Sequence, residues 1–210
     1  MPEPATLAAF ALISLGLVLT PGPNMLYLVS RSITQGRVAG LISLSGVLCG
    51  FLVWLLAACV GLAALVAAAP AAFVAVKLAG AAYLLWLAWQ TIRPGGQAVF
   101  APRRLEAHSP SRLFAMGLTT NLLNPKAAVL YASLLPQFIE PGRGSVLGQS
   151  LALGLTQISV SLVVNTVWVL TAGAFAVALA RRPLWQRLQR WLMATVLSAL
   201  AVRLATEPAR

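Results

Sequence analysis
Six charge-poor, apolar stretches, at 7–30, 39–69, 71–92, 113–139, 146–180 and 184–205, constrain this chain more than any single motif. A helix rising about 1.5 Å per residue needs ~20 apolar residues to cross a ~30 Å hydrocarbon core. The first five stretches meet that length, two of them carrying one Lys each, Lys77 and Lys126. The sixth meets it only if Arg187, Arg190 and Arg203 extend towards the headgroups, because its uninterrupted part, Trp191–Val202, is short. Six spans are expected, with five as the alternative. Composition agrees: 60% of residues are hydrophobic and 9% charged, where a soluble domain has about one-quarter charged. Hydrophobicity this high also excludes disorder. The expectation is an all-α integral membrane protein, with residues 1–210 forming a single membrane domain. Its first stretch reads as a retained helix, since Met1-Pro2-Glu3-Pro4 lacks a basic leader and hydrophobicity runs on to Ser30.

A net charge of +11 would suggest nucleic acid in a soluble protein. Here the positions of the charges give another reading. With six spans, the loops on one side hold ten arginines: Arg31, Arg37, Arg93, Arg103, Arg104, Arg112, Arg181, Arg182, Arg187 and Arg190. The other side holds three: Arg143, Arg203 and Arg210. That asymmetry is the positive-inside signal, which places the odd-numbered loops in the cytoplasm and both termini in the periplasm. With five spans the C-terminus is cytoplasmic instead.

Two of the stretches are broken. Span 1 is interrupted at Thr20-Pro21-Gly22-Pro23-Asn24, and span 4 at Asn121-Leu122-Leu123-Asn124-Pro125-Lys126. Proline removes a backbone N–H and clashes with the carbonyl four residues earlier. The backbone groups freed at that depth persist only when buried in protein or lining a wet cavity. If residues 7–93 and 113–205 are two three-helix repeats joined by a cytoplasmic loop at 94–112, each break falls in the first helix of its repeat. Three spans is an odd number, so the second repeat runs inverted. Paired breaks of this kind point to a transporter site built from discontinuous helices. Structural kinks are the bland alternative, and Asn24, Asn121 and Asn124, costly in lipid, argue against it.

Lys126 lies 13 residues past Leu113, roughly 20 Å deep by helical rise. A lysine at the bilayer centre costs about 2.5–3.5 kcal/mol on insertion scales. No span contains a carboxylate to pair with it: all four acids are Glu, namely Glu3, Glu106, Glu140 and Glu207, and there is no Asp. Three fates remain: a hydrated cavity, the backbone carbonyls of a broken helix, or a substrate carboxylate. The last is the expectation, with a structural bond to the carbonyls of the first break as the bland alternative. Lys77, seven residues past Pro70, is close enough to the outer surface to snorkel.

Gly46 and Gly50 form a small-xxx-small pair suited to close helix approach. Trp86, Trp89 and Arg93 read as an inner-interface anchor. Cys49 and Cys59, about 15 Å apart on one helix, are too distant for a disulfide. His108, the sole histidine, sits in a polar loop. No Cys/His/carboxylate set offers a metal site, no buried acid–base pair offers hydrolysis, and no Gly-rich phosphate loop is present. Neither cofactor, metal nor direct ATP drive is expected, and the chain is not read as an enzyme. A membrane enzyme would have to rely on Glu106, Glu140 and His108.

The segments TPGPNMLYL at 20–28, KLAGAAYLLWLAWQTIR at 77–93 and GLTTNLLNPKAAVLYASLLPQF at 117–138 resemble the lysine-exporter (LysE/RhtB) amino-acid translocators. The resemblance runs over nearly the whole chain, in order and at matching spacing. It implies a bacterial inner-membrane exporter of amino acids or related metabolites, driven by the proton-motive force, and a homodimer. Pro21, Gly22, Pro23 and Asn24 match the first signature, and Asn121, Asn124, Pro125 and Lys126 the second; these are the expected substrate-binding residues. Lys77, Gly80 and Tyr83 match the third-span motif, which makes Lys77 and Tyr83 accessory candidates. Members of that family often carry a polar or ionisable residue in span 2, where this chain reads Gly50-Phe51-Leu52-Val53-Trp54. Several have an Asp in span 5, where this chain has Gln157, Ser159, Ser161 and Asn165, so Ser161 and Asn165 are further accessory candidates. The departures leave the coupling route open between a lysine proton carrier, movement of a zwitterion with the membrane potential, and exchange. They also keep a second reading open, a membrane scaffold or assembly subunit without transport of its own. The lack of a carboxylate disfavours cationic substrates and favours small neutral amino acids.

Overall fold
A computed structural model describes residues 1–20, 22–68 and 106–179, with isolated positions within 78–93 and 191–206. The expected third and sixth spans therefore lie mostly outside the described residues. So do Pro21, Lys77 and Tyr83. Among the described residues every regular element is helical.

Helix α1 (Pro4–Leu19) ends at the first break, and α2 (Pro23–Gln35) continues from it at a bend of 56°. Gly36, at φ 90°, turns the chain into the long α3 (Arg37–Ala68). After the polar segment 106–109 comes α4 (Pro110–Leu122), then the second break, then the short α5 (Pro125–Val129). That line continues through a π-helical turn (Leu130–Leu134) and a 3-10 turn (Leu135–Phe138). A second 3-10 turn (Pro141–Arg143) leads into α6 (Val146–Leu179). Four of these helices open on a proline, Pro4, Pro23, Pro110 and Pro125, whose fixed φ suits a first turn and whose missing N–H is no loss there. Both breaks expected from the sequence are present.

Residues 37–61 of α3 and 146–172 of α6 are each long and apolar enough to cross a membrane, and the bent pair α1–α2 supplies a third such segment. Both α3 and α6 carry apolar residues outward as well as towards the core, as helices between a protein core and lipid do. On α3, Leu44, Val47, Phe51 and Leu55 face the core, while Leu52, Val53, Leu56 and Val60 are exposed. On α6, Leu153 and Val169 are buried, while Leu155, Leu162, Val163 and Val167 are exposed. Phe10 of α1 meets Phe138 edge to face, with centroids 5.1 Å apart. Trp89 lies beneath the Arg93 guanidinium, 5.6 Å from ring centroid to cation, consistent with the expected interfacial anchor.

The α3–α4 crossing depends on absent side chains. A Cβ on Gly46 would strike the Phe114 carbonyl oxygen, and one on Gly117 would strike the Ser43 carbonyl oxygen. A Cβ on Gly50 would lie 2.7 Å from Asn121 Cβ and Oδ1. The backbones thus approach from both sides, as the Gly46/Gly50 pair led one to expect. Gly117, the reciprocal partner, was not anticipated.

Polar contacts define the two ends of the molecule. At one end Arg143 pairs with Glu3, ahead of α1, and its Nε lies 2.7 Å from Glu140 Oε2. The hydrogen bond to Glu3, then the charges of Glu140 and Glu3, hold the Arg143 guanidinium pKa above its ordinary value. At the other end, Arg31 Nη1 donates to the Glu106 carbonyl at 2.9 Å. Beside it Gln35 Nε2 donates to the His108 carbonyl at 2.6 Å and Gln35 Oε1 accepts from His108 N at 3.0 Å. The α1–α2 line therefore runs from the first end to the second, and the line from α4 to Phe138 runs back. The two broken segments are antiparallel.

Arg31 departs from its expected place in a loop. It lies within α2 and is only 3% exposed. The Glu106 carbonyl and the Tyr27 ring, 5.9 Å from the guanidinium, receive its charge, so the helix continues past the point where charge suggested it would stop.

Candidate functional site
The two breaks, more than a hundred positions apart in sequence, touch. Helix α1 stops with the carbonyls of its last turn unpaired by the helix itself. Lys126, in the first turn of α5, fills that role: its Nζ donates to the Leu17 carbonyl at 2.7 Å and to the Thr20 carbonyl at 2.9 Å. A cation at the negative end of a helix dipole is favourably placed. Of the three fates open to Lys126, contact with the carbonyls of the first break is the one the structure contains. Thr20 completes the terminus, its Oγ1 donating to the Gly16 carbonyl at 2.7 Å.

Gly22 gives the ammonium room. A Cβ there would lie 3.2 Å from Lys126 Nζ and 3.5 Å from Cε. Its φ of −167° is ordinary extended backbone, so the requirement is space and not conformation. Asn124 fixes the other side of the junction. It caps α5, its Oδ1 accepting from Lys126 N at 3.0 Å. One residue therefore orients the backbone from which the lysine reaches across.

A small cavity of about 30 Å³ opens beside this junction. Asn24, Asn124 and Lys126 line it from the breaks, with Phe51 from α3. Gln157, Ser161 and Asn165 line it from α6, four residues apart on one face. No acidic side chain is among the described lining residues. Asn165 Nδ2 is held by the Ser161 carbonyl at 2.8 Å and its hydroxyl at 2.9 Å. Asn24 Oδ1 is buried and has no hydrogen-bond partner among the described residues.

Of the residues expected to bind substrate, Asn24, Asn124 and Lys126 thus meet at one cavity, together with the accessory candidates Ser161 and Asn165. Gly22 flanks Lys126 without lining it, and Pro23 starts α2 on an exposed surface. Pro125 opens α5. Asn121 is fully buried against Gly50, outside the lining, with both side-chain polar atoms unpaired among the described residues. Its carbonyl accepts from Trp54 Nε1 at 3.4 Å. Phe51 and Gln157 complete the cavity, although the sequence marked them only as departures from a pattern. The signal that could have promoted Gln157 is the stripe it makes with Ser161 and Asn165. Among the described residues no group of His, Cys, Asp or Glu could hold a metal ion, and Cys49 and Cys59 are free.

The sequence profile of the LysE type translocators matches residues 15–208, nearly the whole chain. The chain belongs to the LysE type translocator family. With its apolar helices, it is a multi-pass membrane protein of that family. It is 37% identical over 168 residues to a homoserine/homoserine lactone efflux protein of Salmonella typhimurium, covering 80% of this chain and 81% of the relative. A leucine efflux protein of an Enterobacter species is 30% identical over 198 residues, covering 90% of each chain. A threonine efflux protein of Escherichia coli is 27% identical over 186 residues, covering 87% of each. No solved structure matches the chain.

Proposed function
We propose that this LysE type translocator exports small neutral amino acids, or close metabolites, across the bacterial inner membrane as a secondary transporter. Three relatives bear the names of homoserine, leucine and threonine efflux proteins, which supports the amino-acid class. The observation that carries the reading is the cavity at the junction of the breaks, lined by a lysine ammonium and amides with no carboxylate among the described lining residues. Such a lining suits a substrate carboxylate and disfavours a cationic side chain. In this reading Lys126 attracts the carboxylate and Asn24 and Asn124 stand beside it. Pro21, Gly22, Pro23 and Pro125 shape the breaks, and Asn121 packs against Gly50 at the end of α4. Ser161 and Asn165 form the far wall, and Lys77 and Tyr83 contribute from the third span.

The antiparallel broken segments support an inverted pairing of 7–93 with 113–205 through a cytoplasmic loop at 94–112. The arginine distribution supports cytoplasmic odd-numbered loops and periplasmic termini. The proton-motive force is the energy source, and a homodimer the assembly. The direct test is counterflow in vesicles reconstituted with purified protein. Neutral amino acids trapped inside should drive uptake of the same labelled amino acid, and lysine and arginine should not. Counterflow with no amino acid at all would refute the assignment.

A further inference from the structure
We propose that Gln157, oriented by Tyr131, is the residue that selects substrate side chains bearing a hydrogen-bond acceptor over apolar ones of the same size. The inference rests on the export reading above and adds a specificity determinant to that site. Tyr131 lies on the π-helical turn Leu130–Leu134, where the widened helix presents it to α6. Its hydroxyl donates to Gln157 Oε1 at 2.6 Å, with both residues about 1% exposed. A side-chain amide has one acceptor oxygen and two N–H donors, so fixing the oxygen fixes where the donors point. Gln157 lines the cavity, and with its Oε1 engaged by Tyr131 its Nε2 is the group left to meet a ligand. The ring of Phe51, 6.2 Å from that of Tyr131, packs the tyrosine from the side of α3 and lines the same cavity.

Lys126 and Gln157 therefore stand on different walls, one a cation on α5 and the other an oriented neutral donor on α6. A substrate carboxylate directed at Lys126 leaves its side chain to meet the α6 wall. A hydroxyl oxygen there accepts from Gln157 Nε2. A methyl in the same place leaves the amide N–H without a partner, and a buried unmet donor is costly. Polar neutral side chains should be preferred, and Tyr131 acts as a positioning residue.

Threonine and valine, which differ by a hydroxyl for a methyl, make the test. In reconstituted vesicles, threonine should compete with labelled substrate about tenfold better than valine, the effect of roughly one hydrogen bond. In Tyr131→Phe and Gln157→Met that ratio should fall towards one, as threonine loses its oriented donor and valine no longer leaves an amide N–H unmet. A purely structural loss would weaken both alike. A wild-type ratio near one, or variants that keep the wild-type ratio, would overturn the inference and leave amino-acid export standing. Equal loss of both substrates in variants that remain monodisperse would also overturn it. Failure of wild-type protein to transport any neutral amino acid would overturn the export reading and this inference with it.

Discussion

Lys126 Nζ donates to the Thr20 carbonyl at 2.9 Å, so the second break of the chain caps the first. In lipid an unpaired carbonyl and an unpaired ammonium are both costly, and each removes the other's penalty. The contact ties the end of α1 to the start of α5 at the edge of the cavity. Anything that draws the ammonium towards the cavity must also loosen the α1 terminus. The same residue can thus join ligand recognition to rearrangement of two broken helices.

The α3–α4 crossing should be intolerant of a single methyl group. Gly46→Ala and Gly117→Ala each place a Cβ against a backbone carbonyl, which no rotamer change relieves. Each should cost about 1–3 kcal/mol and lower the melting temperature of the detergent-solubilised protein. Gly61→Ala, on the same α3 but with nothing within 4 Å, should leave it unchanged.

Asn124→Ala should destabilise the protein by about 0.5–2 kcal/mol, since it removes the cap on α5. Asn124→Ser, which keeps a capping oxygen, should recover most of that loss in the same thermal measurement.

Much of this was legible in the sequence, for identifiable reasons. Pro23, Pro125 and Asn124 break helices by local chemistry, so the positions of both breaks could be read directly. Lys126 could be read as needing a partner because no span contains an acid. Which partner it takes depends on the meeting of α1 and α5, and no local pattern encodes that. Gly46 and Gly50 announced a close crossing, but a helix such as α3, apolar outward as well as towards the core, carries no periodic signal of which faces meet, so Gly117 stayed silent. Arg31 is placed in a loop by its charge alone, whereas the Glu106 carbonyl and the Tyr27 ring receive that charge inside the protein. The pairing of Tyr131 with Gln157 is not legible in the sequence, because it needs the π-helical turn, which the sequence does not mark.

The Glu3–Arg143–Glu140 cluster is exposed and should respond to salt more than to alkali. The raised Arg143 pKa means that its contribution is present at and below the ordinary arginine range and is lost only as pH rises through the still higher folded value. Thermal stability should therefore show no arginine-linked step between neutral pH and pH ~11. Arg143→Gln should matter less as salt is raised. A fall in stability below that pH that disappears in Arg143→Gln would contradict this.

The proposed orientation can be read from two exposed positions at opposite ends. In a background with Cys49 and Cys59 replaced, Gly142→Cys should react with a membrane-impermeant thiol reagent in intact spheroplasts. Arg37→Cys should react only after lysis. The reverse pattern would invert the topology.

The most direct test of the account is efflux by Lys126→Ala, measured alongside its abundance in the membrane. The account predicts that substrate-dependent efflux is lost while the protein still reaches the membrane, because the variant removes both the carboxylate's partner and the link between the breaks. Efflux at the wild-type rate from that variant would contradict it.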